Sequence, residues 1–285
     1  MDADAVTPRE AATVMIVRDA PHLEAFMLRR NPRSSFVAGA HVFPGGQVDA
    51  ADGAPELIDD ATGSGPAAAD AALGQVGATR FWVAAVREAF EEAGVLLARR
   101  LDGTAFVPTS AEQQALAKAR SLVASGHRPL RDVLTDHGLV LDLGALVPIG
   151  RWITPVPSPK RFDTWFFVAL APEGHQYEHD ARELVDSEWL TPYAALDRAR
   201  SGAIELIYPT IRSLLLAQRY PDASAFVAAA RRRWDHPEPF RVMNPGQGWQ
   251  LDLTTDDEHE VDDRASGFVM GMQIPLGAVV PAGGG

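Results

Sequence analysis

The sequence predicts an α/β or α+β fold built as one continuous domain, and three observations carry that prediction. Two apolar segments near the start, 11–19 and 23–31, have the branched and alternating character of neighbouring strands, with Asp-Ala-Pro-His between them as a turn. A helical pattern at 79–93 sets Phe81, Ala85 and Ala89, and Val86, Phe90 and Ala93, at spacings of three and four. Further strand-like and then helical segments follow in one run, which favours a single mixed domain over two separate ones.

In chain order, the first two strands lead into Phe-Val-Ala-Gly-Ala-His-Val-Phe-Pro-Gly-Gly-Gln-Val-Asp, 36–49, a loop with strand pieces around a Gly-Gly turn. Residues 50–77 are rich in Ala, Gly and Asp and weakly patterned, so they are read as an insertion, expected to be partly helical or mobile. The helix at 79–93 stops at Gly94, and Val-Leu-Leu-Ala continues beyond it. A helix at 110–125 carries Ser110 and Gln113 as a capping box. Arg-Pro-Leu-Arg-Asp-Val-Leu-Thr-Asp-His-Gly, 128–138, reads as a short helix. Arg-Trp-Ile-Thr-Pro-Val (151–156) and 161–170 read as strands, the second central, with Trp165, Phe166 and Phe167 as core aromatics. Ser-Glu-Trp-Leu, 187–190, begins a short strand, and helices are expected at 192–201, 208–219 and 222–233. The domain is placed at 10–234, with insertions at 50–78 and about 109–138. The extension 235–285 is rich in Pro and Gly, then acidic at Asp-Asp-Glu-His-Glu-Val-Asp-Asp, then apolar; it reads as hairpin-like or irregular, its acidic run as a solvated loop.

Composition excludes several functions. The formal charge is −12 over 285 residues, which argues against a nucleic-acid partner or an anionic membrane surface. Cysteine is absent, so disulfides, thiolate catalysis and cysteine-bound zinc are excluded. No run of 18 apolar residues suggests a membrane span, and the acidic opening Met-Asp-Ala-Asp-Ala lacks a signal-peptide core, so the expected location is cytoplasmic.

The chemistry concentrates in Ala-Ala-Val-Arg-Glu-Ala-Phe-Glu-Glu-Ala-Gly, 84–94. Glu88 and Glu92 are four apart on one helix face, and Glu91 is three from Glu88. Like charges at this spacing oppose each other by roughly 0.2–0.5 kcal/mol in an exposed helix. A divalent cation reverses that sign, and Mg²⁺ takes hard oxygen ligands. Arg87, four before Glu91, is placed to brace that carboxylate.

Phe-Pro-Gly-Gly (43–46) and Arg-Glu-Ala-Phe-Glu-Glu-Ala-Gly-Val (87–95) together resemble the Nudix hydrolase signature. That signature runs Gly, five residues, Glu, seven residues, then Arg-Glu-apolar-x-Glu-Glu-x-Gly-apolar. Its second half matches residue for residue. Gly46 lies 41 positions before Arg87 where the family spacing is 14, and the excess of 27 fits the insertion. Eight positions before Arg87, where the signature has its first Glu, stands Thr79; an acid from the insertion, such as Asp52, is the candidate to fill that space. The split box, with 41–49, 151–169 and 188–210, resembles the Nudix subgroup that includes acyl-coenzyme A diphosphatases. Gly39 ahead of Phe-Pro-Gly-Gly fits the end of the upstream motif of coenzyme A hydrolases. The Arg of that motif falls on Ser35, with Arg29, Arg30 and Arg33 as the nearby substitutes.

The resemblance implies a Nudix-type α/β/α sandwich with a mixed β-sheet. It implies Mg²⁺ or Mn²⁺ held by Glu88, Glu91 and Glu92 with the backbone carbonyl of Gly45, and a small-molecule diphosphate substrate. Glu91, Glu92 or a later acid takes the proton of the attacking water; of Glu178, Glu183 and Glu188, Glu183 is the preferred ligand or base because it precedes a Trp-x-x-Pro segment. Arg29, Arg30 and Arg161 are candidate substrate contacts, Arg161 alternatively bracing Asp163. His41, two before Phe-Pro-Gly-Gly, has no patterned partner as a ligand. The expected reaction gives 3′,5′-ADP and (acyl-)phosphopantetheine from coenzyme A or its acyl esters. ADP-ribose, NADH and free nucleotides are the competing substrates, a non-catalytic Nudix-fold ligand-binding or regulatory protein is the competing class, and the family admits a homodimer.

Overall fold

The computed structural model describes residues 6–34, 37–63, 65–154, 160–180, 184–235, 241–242 and 259–260. Its elements run β1 (Arg9–Asp19), β2 (Leu23–Arg30), β3 (His41–Val42), β4 (Gly45–Gln47), α1 (Pro55–Ile58), α2 (Pro66–Leu73), α3 (Thr79–Ala93), β5 (Ala98–Arg100), α4 (Ser110–Ala124), α5 (Leu130–His137), β6 (Leu139–Leu141), β7 (Val147–Ile153), β8 (Phe162–Leu170), β9 (Leu184–Leu190), α6 (Pro192–Arg200), α7 (Tyr208–Ala217) and α8 (Ala223–Asp235). A short 3-10 turn, Ala50–Gly53, precedes α1.

The main sheet has the order β3-β2-β1-β8-β7, with β4 added beside β1 and β9 beside β2. β1 and β8 run parallel from Arg9↔Phe162 to Val17↔Leu170; the other pairs are antiparallel, so the sheet is mixed. Alternation along β1 divides the core. Ala12, Val14 and Ile16 face the layer containing α3, α4 and α5, while Met15 and Val17 face α6, α7 and α8. Both faces are covered by helices, which is the α/β/α sandwich. Trp165, Phe166 and Phe167 are all buried in it, and the aromatic side chains alternate between the two layers.

α3 forms where its periodicity predicts, and Gly94 caps it in the left-handed conformation at φ 72°. The insertion holds α1 and α2, both opened by proline in the first turn. Two expectations shift. The capping box at the start of α4 is Thr109 with Glu112, one residue earlier than Ser110 with Gln113. Thr109 has the extended backbone of a cap (φ −67°, ψ 165°), and the Glu112 carboxylate accepts from its N–H at 2.8 Å; a charged acceptor outcompetes an amide there. Thr109→Ala is expected to lower stability by about 1 kcal/mol in denaturant unfolding. The strand containing Ser-Glu-Trp-Leu begins earlier, at Leu184, because β2 supplies pairing partners up to Arg30. In the extension, Arg241–Val242 pairs with His259–Glu260; the rest of the acidic run and the apolar end lie outside the described residues.

Candidate active site

Two elements make the site. β4 runs beside β1 with Thr13 opposite Gly45 and Ala12 opposite Gly46, and α3 crosses over that pair. The helix lies so close that a Cβ on Gly46 would sit 2.4 Å from Glu88 Oε1. A Cβ on Gly45 would meet Thr13 Oγ1 at 2.4 Å and the Ala12 carbonyl at 2.7 Å. The Gly-Gly pair, expected to make a turn, lies instead in β4 without a left-handed backbone, and it is close approach that requires it. Gly46→Ala is expected to push Glu88 out of place and to lower turnover at least tenfold while the far-ultraviolet circular dichroism is retained.

Arg87 is the hub. Its Nε and Nη2 grip the two Asp52 oxygens, each at 2.9 Å, as a fork. Nη2 also donates to the Gln47 carbonyl at 2.8 Å, and Nη1 donates to Glu88 at 2.8 Å and to Glu91 at 3.3 Å. Asp52 is 1% exposed and in addition accepts the Asp49 N–H at 2.7 Å. Glu92, also buried, accepts the Gly45 N–H at 2.8 Å. Burial alone would push the Arg87 guanidinium down; the Asp52 hydrogen bonds and the charges of Glu88, Asp52 and Glu91 outweigh it and hold Arg87 above its ordinary range. Burial pushes Glu88 up to about 7 against the pull of Arg87, with the Glu91 and Asp52 charges adding to the rise. Burial likewise raises Glu91, opposed by Arg87.

Asp52 fills the role weighed for it, and the numbering explains why Thr79 does not. Counted forward from Gly46, the signature's first acid falls on residue 52; counted back from Arg87, it falls on Thr79. The insertion separates the two counts, and the fold brings residue 52 to Arg87. Thr79 is buried in the first turn of α3.

Among the described residues, no group of three His, Cys, Asp or Glu side chains is gathered as a ready metal cage. Arg87 Nη1 bridges Glu88 and Glu91, and Glu92 turns to the Gly45 backbone. The donor chemistry nevertheless fits a hard cation: Asp52, Glu88 and Glu91 share the Arg87 guanidinium, and the buried Glu92 carboxylate lies at the Gly45 backbone, an all-oxygen set.

The other candidate residues are distributed differently. Strand alternation puts Arg30 on the α3 side of β2 with Phe26 and Leu28, and Arg29 on the α6–α8 side with Ala25 and Met27. Both lie at the end of β2 that pairs with β3, and the Arg30 N–H donates to the Ala40 carbonyl at 3.0 Å. Arg161 is 5% exposed and donates to the carbonyls of Thr154 and Val6, each at 2.7 Å. Asp163 is held by Arg151, at 2.7 Å through Nε, rather than by Arg161. Glu188 pairs with Arg198 at 2.7 Å and lies 3.4 Å from the buried His41 Nε2. Glu178 is exposed, its N–H donating to the Ala93 carbonyl at 3.3 Å at the end of α3. Glu183 and Ser35 lie outside the described residues.

A sandwich of this kind, with Arg-Glu-Ala-Phe-Glu-Glu-Ala-Gly in one helix laid against a Gly-Gly strand, is the architecture of the Nudix hydrolases. The family model for the NUDT19 Nudix domain matches residues 66–215, and the chain belongs to that family within the Nudix hydrolase superfamily. It is similar to the acyl-coenzyme A diphosphatase NUDT19 of Gallus gallus, at 30% identity over 72% of this chain and 67% of that one. It is similar to the Homo sapiens protein of the same name at 33% identity, over 66% and 60% of the two chains. Among solved structures, a NUDIX hydrolase from Alicyclobacillus acidocaldarius matches with a TM-score of 0.63 and 29% identity, covering 79% of this chain and 97% of that one. The chain thus spans about 60–67% of the length of the two NUDT19 relatives. No helix among the described residues is long and apolar enough to cross a membrane.

Proposed function

We propose that this chain uses Mg²⁺ or Mn²⁺ to hydrolyse a nucleoside diphosphate linked to another group. The proposed substrate is coenzyme A or acyl-coenzyme A, giving 3′,5′-ADP and phosphopantetheine or its acyl form. The observation that carries the reading is the buried carboxylate cluster of α3, locked by Arg87 and Asp52 against Gly45 and Gly46. The coenzyme A assignment rests on the two NUDT19 relatives and on the Gly39–Phe-Pro-Gly-Gly spacing.

Glu88, Glu91 and Glu92, the Gly45 carbonyl and Glu183 would hold the ion, an all-oxygen set suited to Mg²⁺ or Mn²⁺. When bound, the ion supplies charge neutralisation of the diphosphate and acidifies water. The chain's own residues do the rest. Asp52 fixes Arg87, and Arg87 fixes the rotamers of Glu88 and Glu91. Gly45 and Gly46 let backbone and carboxylates approach without a side chain between them. Glu91, Glu92 or Glu183 accepts the proton of the attacking water. The water oxygen bonds to one phosphorus as the bridging oxygen leaves with the other, and two phosphomonoesters result. Arg29, Arg30 and Arg161 are the proposed substrate-side cations; Arg30, on the α3 side of the sheet, leads them.

The test is incubation with Mg²⁺ or Mn²⁺ and coenzyme A, acetyl-coenzyme A, NADH, ADP-ribose and nucleoside triphosphates, with products read by mass and EDTA as control. Release of 3′,5′-ADP with phosphopantetheine or its acetyl form supports the reading. Turnover of another compound keeps the chemistry and moves the substrate. Metal binding without any turnover favours a ligand-binding protein on the Nudix scaffold.

A further inference from the structure

We propose that Arg120, on the inserted helix α4, is a positioning residue for the active site, which makes the helical insertion part of the catalytic apparatus. The residue lies outside the signature, in a segment the Nudix box does not contain. Its Nε donates to the Glu91 carbonyl at 2.8 Å. That carbonyl is in the last turn of α3, where backbone acceptors lack partners within the helix and where a cation is favoured by the helix dipole. The guanidinium lies against the turn. A Cβ on Gly94 would sit 3.3 Å from Nη1, 3.8 Å from Cζ and 3.2 Å from the Gln176 carbonyl. Gly94 thus serves two ends, the left-handed cap and the meeting of three segments.

The third segment is the loop 172–180 leading toward β9, seated on the helix end through the Glu178 N–H and the Ala93 carbonyl. Burial pushes the Arg120 guanidinium below its ordinary range, and the charges of Asp180, Glu178 and Glu92 oppose that. Its Nη2 is buried without a hydrogen-bond partner. A buried donor with no partner is unfavourable, and an apolar side chain would fill the same space without that cost. What an apolar side chain lacks is charge. The charges of Glu92, Glu178 and Asp180 favour a cation here, and the guanidinium meets the helix end at the Glu91 carbonyl and at Gly94, where the Gln176 carbonyl also arrives. Arg120 therefore sets the position of the Glu91–Glu92 turn relative to the loop 172–180.

This inference rests on the proposed diphosphatase function for its catalytic consequence but not for the contact itself, so the test has two readouts. Arg120→Met and Arg120→Lys are compared with the parent in steady-state kinetics and in amide exchange read by mass spectrometry. Arg120→Met is expected to lower kcat roughly 10–100-fold, with KM within about twofold of the parent value. Exchange quickens at 91–94 and 176–180 while the earlier turns of α3 stay protected. Arg120→Lys restores part of kcat, and millimolar methylguanidinium restores part of it in Arg120→Ala. If the parent turns over none of the panel, the proposed function fails while the exchange result still decides the positioning role. Arg120→Met with parental kcat, or with unchanged exchange at both segments, overturns the inference. Loss of protection along the whole of α3 also overturns it, since Arg120 would then be a general stabiliser.

Discussion

Asp52→Ala is expected to lower the free energy of unfolding by about 3–5 kcal/mol, as measured by denaturant titration in EDTA. Asp52 is 1% exposed and takes the Arg87 fork with both oxygens. Its removal leaves a guanidinium in the interior with two of its five hydrogen bonds gone, which is the costly way to break a buried pair. The same change frees Arg87 to swing toward Glu88 and Glu91, so kcat is expected to fall roughly 10–100-fold as well. Asp52→Asn should be milder in stability, because the amide keeps the shape and one acceptor. The assignment of the signature's first acid gives a sharper control. Thr79 lies eight residues before Arg87 on the same helix, about 12 Å along its axis. Thr79→Glu in the Asp52→Ala background is therefore expected to restore nothing. Recovery by that double variant, or a loss of stability under about 1 kcal/mol in Asp52→Ala, would show that Asp52 is not the partner that orders Arg87.

Glu92→Gln should separate function from stability. The carboxylate is buried and accepts the Gly45 N–H at 2.8 Å, a contact the isosteric amide oxygen can keep. Stability in EDTA is expected to change by no more than about 1 kcal/mol, because relief of repulsion from the neighbouring carboxylates is offset by the lost attraction to Arg120. Turnover with Mg²⁺ or Mn²⁺ is expected to fall about 10³-fold, the equivalent of several kcal/mol of charge stabilisation at the reacting centre. Mn²⁺ affinity, read by calorimetric titration, is expected to fall with it. Parental turnover in Glu92→Gln would remove Glu92 from the site and leave the α3 cluster without its proposed role. Together the two variants distinguish a residue that shapes the site, which loses both stability and turnover, from one that acts in it.

How much was legible depends on whether a feature is local. The helix at 79–93, its stop at Gly94 and the first two strands follow from periodicity and turn chemistry within a few residues, and each forms as predicted. The capping box missed by one position because Thr109-x-x-Glu112 and Ser110-x-x-Gln113 overlap, and only the backbone geometry chooses between them. The start of β9 at Leu184 was hidden because Val185 and Asp186 carry no clear alternation, while the pairing with β2 is a contact across the sheet. Arg161 and Arg151 show the same limit: Arg161 is two residues from Asp163 along the chain, but Asp163 pairs with Ile153 across the sheet and is held by Arg151, two residues from that partner.

The sequence by itself determined the helix that carries Arg87, Glu88, Glu91 and Glu92, the Phe-Pro-Gly-Gly stretch, and hence the family. These are short-range patterns whose chemistry survives an insertion. For the acid that orders Arg87 the split motif offered two positions, Asp52 counted from Gly46 and Thr79 counted from Arg87, and the tertiary structure decided for Asp52, 35 residues away along the chain. The fold also decided that Arg120, from a helix with no motif, lies against the last turn of α3. That placement is set by long-range packing, in which a buried charge must find opposite charge wherever the chain returns, and spacing along the sequence carries no record of it.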